Sequence, residues 1–130
     1  MNRIMLRNHD AMATVAVTDL ERAREFYGKR LGLPPAGDTP PEADVALYRA
    51  GATTIVVYKS EYAGTNQATS ITWGVGEDFD AIIAALQQAG VRFEHYDIGM
   101  KLEGDVHRAG DFKAAWFKDP DGNILHVNNE

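Results

Sequence analysis

The same order of strand-like and helix-like segments occurs twice in the sequence, and this repeat restricts the possible folds more than any other feature. A strand-like run of β-branched and small residues, 12–17, precedes apolar residues at helical spacing and then three further strand-like runs. The second half starts again with a strand-like run at 70–75 and follows the same order. A fixed period of this kind is typical of one supersecondary unit used twice. We therefore predict a single domain over 1–130, made of two βαβββ modules at about 10–60 and 69–130.

The first module contains recognisable helix boundaries. Thr18, followed three residues later by Glu21, predicts an N-cap and capping box. Gly32 and Pro34 predict the end of that helix. Three strands are then expected near 33–37, 45–49 and 53–59.

The second module repeats this plan after a polar linker, 61–69. Asp78 can cap a helix, and Gly90 would end it. The apolar face of that helix is formed by Phe79, Ile82, Ile83 and Leu86. Strands are expected near 91–97, 112–118 and 123–128, with a tight turn over 119–123. The segment 98–111 is interrupted by glycines and is expected to be an irregular stretch that could fold over a site.

Composition excludes several classes of protein. The net charge of −6, from 19 acidic and 13 basic residues, opposes binding to a phosphate backbone, so we expect no nucleic-acid partner. There are no cysteines for disulfides or thiolate metal sites. A membrane span would need roughly 20 consecutive apolar residues, which the chain lacks, and a cytoplasmic location is expected. The acidic excess would attract cationic ligands if it lined a cleft, or it provides solubility alone.

Local motifs add a family resemblance. Val17-Thr18-Asp19-Leu20 is followed by Phe26-Tyr27 and Leu31-Gly32-Leu33, and the second module closes with the run from Trp116 to Ile124. In this order, the motifs resemble the vicinal-oxygen-chelate superfamily of glyoxalases, bleomycin resistance proteins and extradiol dioxygenases. The resemblance implies an α+β fold in which a curled mixed sheet surrounds a cavity, with the helices outside. It also implies a homodimer whose site is completed by both subunits, with the dimer geometry left open.

Metal-dependent members of that superfamily bind a divalent cation through His, Glu or Gln on facing strands. The matching positions here are Met12, Ser70 and His126, and the strand 53–58 offers no carboxylate or imidazole. A divalent site needs three or four converging ligands, and a thioether suits it poorly. We therefore expect no metal and no cofactor. His126 is then either a ligand contact or a buried, hydrogen-bonded imidazole.

Strand alternation selects the side chains that would face the cavity. Ala114, Trp116 and Lys118 should point inward with His126, whereas Trp73 should pack outward against the second helix. The candidate ligand-binding residues are Met12, Thr14, Tyr48, Tyr58, Ser70, Thr72, Trp116, His126 and Asn128. Rings with a few polar groups suit a small aromatic or cationic molecule. The same Trp116 and Met12 could instead fill a collapsed core.

Three functions follow from these residues. The first is a binding protein that sequesters an antibiotic or aromatic metabolite without a complete metal site. The second is an enzyme (a glyoxalase-type lyase, thiol transferase or extradiol dioxygenase) using His126, to which Glu103, Asp105 and His107 could add an acid/base cluster. The third is an interaction module with no small-molecule role. The identity of the ligand is not encoded in any motif of this sequence.

Overall fold

The computed structural model describes residues 5–39 and 43–130 of the chain. Short 3-10 turns lie at Leu6–Asn8 and Gly76–Asp78. The longer elements in chain order are β1 Ala13–Val17, α1 Leu20–Ala23 with its π-helical continuation Arg24–Arg30, β2 Val45–Ala50, β3 Thr53–Lys59, β4 Thr69–Gly74, α2 Phe79–Gln88, β5 Phe93–Glu94, β6 Lys101–Glu103, β7 Val106–Ala109, β8 Phe112–Lys118 and β9 Ile124–Asn128.

Strand pairing confirms the internal repeat. In the first sheet, β3 lies between β1, to which it is parallel, and β2, to which it is antiparallel. In the second sheet, β9 lies in the same way between β4 and β8. The short β5 pairs with β8, and in the first module Pro35 makes the equivalent contact with Tyr48 of β2 as a single bridge. Pro34 and Pro35 lack N–H groups, which explains why this predicted strand at 33–37 does not extend into a ladder.

The expectation of an irregular stretch over 98–111 is wrong. Strands β6 and β7 form a hairpin around Gly104 and Asp105, and His107 of β7 pairs with Ala114 of β8. Gly104 has φ of 63°, which a two-residue hairpin loop requires and which glycine adopts without strain. The second sheet is therefore extended by two strands for which the first module has no counterpart in its described residues.

The helix boundaries agree with the sequence, but the caps differ in part. Asp78 occupies the N-cap position of α2, although its side chain makes no capping hydrogen bond within the described residues. The N-cap of α1 is Asp19, whose carboxylate accepts a hydrogen bond from the Arg22 backbone N–H, and Thr18 was the wrong choice. The Thr18 hydroxyl and N–H instead donate to the carboxylate of Asp121 in the second module. Gly32, with φ of 73°, follows the end of the helix as expected.

One hydrophobic core joins both modules. Val15, Val57 and Leu125 of the sheets pack with Phe26 and Phe79 of the two helices in a single buried cluster. The edges of the two sheets lie next to each other at β1 and β4. Since the helices cover one face of the sheets, the opposite face, which we call the open face, presents its side chains away from the core. No helix in the described ranges is long and apolar enough to cross a membrane.

Candidate functional site

The open face of the second sheet brings four of the predicted residues together. Strand register places Thr72 beside His126 and His126 beside Trp116. Asn128 follows on the same face of β9, because alternate residues of a strand share a face. On the other face, Phe117, Leu125 and Val127 are buried in the core, as expected. The predicted orientation of these strands is confirmed, whereas their contact with a ligand stays a prediction.

Four rings form what we call the aromatic cluster: Tyr96, His107, Trp116 and His126. Trp116 stacks on His126, with ring centroids 4.4 Å apart and an angle of 23° between the planes. Its ring also makes edge contacts with His107 at 5.0 Å and with Tyr96 at 5.6 Å. Trp116 is thus the centre of a surface on which a flat ring can stack.

His126 is held by two hydrogen bonds that define its protonation. Its Nδ1 lies 3.1 Å from the carbonyl oxygen of Ala115, an acceptor, so Nδ1 carries the proton and donates it. The Nε2 lone pair then accepts from the side-chain amide of Asn128 at 3.2 Å. Burial lowers the pKa of His126, an effect that nearby His107 reinforces and that the bond to Ala115 opposes. His126 is therefore neutral at pH 7.

His107 and Tyr96 present buried polar atoms without partners. The Nε2 of His107 accepts from the backbone N–H of Tyr96 at 2.9 Å, so the neutral ring carries its proton on Nδ1. Within the described residues, neither that Nδ1 nor the Tyr96 hydroxyl has a hydrogen-bond partner, and His107 is 0 % exposed. A buried polar atom left unpaired is destabilising by about 1–3 kcal/mol. Both atoms lie beneath the surface, so an oxygen would reach them only if the side chains around them moved.

Sequence reasoning missed the part that these two residues play. The sequence pattern does not single out Tyr96, and it predicts His107 within an irregular stretch. The available signal was the Gly104-Asp105 pair between the short alternating runs 101–103 and 106–109, which is a two-residue hairpin pattern. Applying it would have placed His107 on a strand next to β8.

The predicted residues of the first module do not join the cluster. Thr14 and Tyr58 lie on the open face of the first sheet, where Tyr58 is 36 % exposed, and Met12 precedes β1 with 56 % exposure. Met12 therefore does not fill a collapsed core. Ser70 lies half-buried in β4, next to a register shift between Thr69 and Ile71.

Tyr48 does not have the expected position on the open face, although its contact with a ligand stays a prediction. It pairs with Ile55, whose side chain points into the core, so Tyr48 lies on the helix side of the sheet. Its ring is only 4 % exposed and stacks on Tyr27, with centroids 6.1 Å apart. A register one residue away would have placed it on the open face, and the sequence alone did not distinguish the two.

The donors at the superfamily's metal positions do not fit a divalent cation. Met12 offers a thioether, Ser70 a hydroxyl, and both nitrogens of His126 are already engaged in hydrogen bonds. In residues 5–39 and 43–130, no group of three or more His, Cys, Asp or Glu side chains could hold a metal. These side chains therefore do not provide the ligands of a divalent cation.

The possible acid/base cluster at the hairpin does not form. Glu103 binds Arg108 at 3.3 Å and Lys101 at 3.5 Å, on the exposed face of the hairpin. Asp105 instead contacts His95 at 2.8 Å, and that bond holds the pKa of Asp105 below its usual range. Because Glu103 and His107 are not on the same face of the hairpin, the three groups do not converge.

An apolar cavity lies away from this site, between the helices. It has a volume of about 200 Å³ and includes Leu31, Trp73, Ile82 and Phe117 in its lining. The position of Trp73 beside α2 confirms that it packs outward, as expected.

Comparison with known proteins identifies a family. The family model described as the glyoxalase/bleomycin resistance protein/dioxygenase superfamily matches residues 8–127. No curated protein matches the sequence.

Solved structures share the fold at low sequence identity. A glyoxalase/bleomycin resistance protein/dioxygenase from Alicyclobacillus acidocaldarius is 20% identical, covers 93% of this chain and 90% of its own, and gives a TM-score of 0.69. The fosfomycin resistance protein FosX from Mesorhizobium loti is 14% identical, with 97% and 94% coverage and a TM-score of 0.68. A lactoylglutathione lyase from Agrobacterium tumefaciens is 14% identical, with 92% coverage of both chains and a TM-score of 0.66. At these identities the likeness concerns the fold alone.

Proposed function

Because the chain belongs to the glyoxalase/bleomycin resistance protein/dioxygenase superfamily, we propose that it binds a small aromatic molecule on its open face, without a complete metal site. The aromatic cluster is the observation that carries this proposal. Trp116 provides a stacking surface, and directly beside it lie the Nδ1–H of His107 and the hydroxyl of Tyr96, two buried polar groups without a partner in the described residues. In a residue set that only fills a core, most buried polar atoms find partners within the protein.

The role of the bound state is sequestration, as in a resistance protein. A structure of the same fold is named as a fosfomycin resistance protein, which supports a role in antibiotic binding for this chain. The preference of the cluster for a positive or negative ligand depends on the charged side chains next to it. These are Glu94 and Lys118, which flank the cluster and pair with each other at 3.5 Å. The acidic excess of the whole chain therefore gives the cluster itself no strong preference for cations.

Tryptophan fluorescence tests this proposal directly, because the chain has two tryptophans and only Trp116 belongs to the cluster. In a Trp73→Phe variant, titration with a panel of flat aromatic antibiotics and metabolites should give saturable quenching by at least one compound. A Trp116→Phe variant, which retains Trp73 beside α2, is the matched control and should respond weakly. Absence of saturable quenching in Trp73→Phe across cationic, neutral and anionic compounds would contradict the proposal.

A second candidate is an enzyme that uses His126 as a general base. The observation in its favour is the neutral imidazole, which its lowered pKa keeps able to accept a proton at pH 7. A lactoylglutathione lyase of the same fold makes glyoxalase-type substrates the first to assay. His126→Ala should abolish any turnover found, and unchanged turnover would remove this assignment.

We further propose that the chain acts as a homodimer. Met12, Tyr58 and Leu102 expose apolar surface on or beside the open face, where a second copy would cover it. Such a copy would also enclose the aromatic cluster, which a single chain leaves on an open sheet surface.

A further inference from the structure

A second concave site lies outside the open face, between the two modules. It is a groove of about 330 Å³ formed by α1, the segment that follows α2, and the turn after β8. Its apolar part consists of Phe26, Val91 and Pro120. We call it the cationic groove, because its rim is formed by Arg22, Arg30, Arg92 and Lys118.

Two of the four rim cations are not neutralised by a carboxylate. Arg30 and Arg92 have no carboxylate within 4.0 Å in the part of the chain that the structure describes, and Arg92 is exposed. Arg30 makes one long contact, 3.5 Å from its Nη1 to the carbonyl oxygen of Gly90. Their guanidinium groups are therefore available to an added anion.

Arg22 contributes a fixed charge to the same groove. Its Nη2 binds Asp121 at 3.0 Å and the Thr18 hydroxyl at 3.1 Å, so the side chain is held in place before any ligand arrives. Lys118 is half-exposed and reaches Glu94 at 3.5 Å, a contact that solvent weakens. Preorganised cations of this kind reduce the entropy lost on binding.

The carboxylates in the groove are committed elsewhere. Asp119 is buried and accepts from the Tyr27 hydroxyl at 2.7 Å and from the side-chain amide of Asn123 at 2.8 Å. Glu25 pairs with Lys29 at 3.3 Å, one helical turn along. Arg22 and Lys118 are each paired with a carboxylate. Arg30 and Arg92 are not, within the described residues, so two uncompensated cations meet at this groove in a chain whose net charge is −6. A local surplus of positive charge, against that background, favours anionic ligands over cations.

We propose that the cationic groove binds a compact organic oxyanion, a carboxylate or phosphate ester carried on an apolar body. The guanidinium forks of Arg30 and Arg92 match the oxygens of either group, since both present oxygens in a geometry that a guanidinium can contact twice. The body of the ligand would cover Phe26, Val91 and Pro120, which an inorganic ion cannot do. The groove shares Lys118 with the border of the aromatic cluster, but its lining contains no tryptophan.

Amide chemical shifts measure binding at this groove separately from the open face. Phenyl phosphate, titrated at low salt, should cause saturable shifts in 22–30, 90–92 and 118–120. Benzoate should act at the same amides, and benzyl alcohol, which lacks the charge, should not. Inorganic phosphate should bind at least tenfold more weakly than phenyl phosphate, because it leaves the apolar part of the groove uncovered.

Substitutions then assign the shifts to the two free guanidiniums. Arg92→Gln should weaken phenyl phosphate binding, and Arg30→Gln combined with Arg92→Gln should weaken it at least tenfold. Both side chains are exposed, so the double variant should keep the wild-type fold, which its unperturbed spectrum away from the groove would show. Arg49→Gln, which removes an exposed arginine on the first sheet, is the matched control and should bind like the wild type.

Equal affinity of the double variant and the wild type for phenyl phosphate would overturn the proposal, as would the lack of saturable shifts at the groove amides. Equal binding of benzyl alcohol and phenyl phosphate would overturn the assignment to an oxyanion. The Arg30 and Arg92 variants leave the residues of the aromatic cluster unchanged, so the fluorescence test of the open face is judged by its own variants.

Discussion

Asp119 links the two modules through a buried carboxylate. Tyr27 of α1 donates its hydroxyl to Asp119 at 2.7 Å, and backbone N–H groups of Asp121 and Asn123 donate to the same carboxylate. Burial, together with the adjacent Asp119, raises the pKa of Tyr27, so the phenol stays protonated and remains a donor. The contact therefore holds the first helix against the turn between β8 and β9.

Replacing Tyr27 with Phe should lower the free energy of unfolding by about 2 kcal/mol, because a buried charged acceptor loses one donor. Urea unfolding followed by circular dichroism measures the change. Tyr62→Phe is the matched control, since Tyr62 is 72 % exposed, and it should change stability by less than about 0.5 kcal/mol. Equal stability of Tyr27→Phe and the wild type would show that the contact does not contribute.

His126 should make stability depend on pH. Burial lowers its pKa in the folded chain below the ordinary histidine value of about 6.5, so the unfolded chain binds this proton more readily. The contribution of the neutral imidazole is fully present above that value and is lost as pH falls from about 6.5 through the folded pKa. The free energy of unfolding should fall over this window in the wild type.

The His126→Asn variant separates this effect from the acid titration of carboxylates. It should show a smaller fall in stability between pH 6.5 and pH 5 than the wild type, measured by urea unfolding at several pH values. Parallel curves for the two proteins would contradict the assignment to His126.

At the residue scale, the alternation of apolar and polar residues correctly predicts which face of the sheet a side chain occupies where a strand has one clearly apolar face. Leu125 and Val127 identified the core side of β9, which placed His126 and Asn128 on the open face. It failed at Tyr48, because aromatic residues suit either face and only the pairing with Ile55 decides between them. Alternation also does not predict the hydrogen bond between the Tyr96 N–H and His107, because that contact depends on the β6–β7 hairpin.

At the scale of elements, the hairpin β6–β7 is tied to the rest of the second module by its turn. Asp105 accepts from the side chain of Gln87 on α2 at 3.0 Å and contacts His95 at 2.8 Å. The hairpin in turn places His107 against Trp116, so its position controls the aromatic cluster. This element was not predicted, because its strands are short and the sequence around them is rich in charge.

Asp105→Ala should increase hydrogen exchange over 101–109, since local opening becomes easier when both contacts of the turn are lost. The loss of global stability should be small, about 1 kcal/mol, because the two bonds are partly exposed. Mass spectrometry of exchanging peptides provides the measurement. Asp111→Ala, at the exposed turn between β7 and β8, is the control and should leave exchange over 101–109 unchanged. An equal increase in exchange in both variants would argue against the anchoring role of Asp105.

At the scale of the whole molecule, the repeat made the fold predictable from the sequence. Each module supplies the same strand order and one helix, and the apolar faces of both helices meet in one core. The repeat does not encode the differences between modules, namely the reduced strand at Pro35 and the added hairpin. Those differences decide what surrounds the aromatic cluster, which is why the site was predicted less completely than the fold.

The open face also determines the expected assembly. Met12 and Tyr58 expose apolar surface next to a sheet whose helices already cover the other side, and burial of such surface is the main driving force of association. Light scattering after size exclusion should give the mass of two chains for the wild type. Replacing Met12 and Tyr58 together with Asp should give the mass of one chain, because two charges per subunit would have to be buried without partners. Tyr62→Asp, in the exposed linker, should remain a dimer. A wild-type mass of one chain would exclude the dimer, and a dimer that persists in the double variant would place the interface elsewhere. In either case the aromatic cluster would have to bind its ligand on a surface open to solvent.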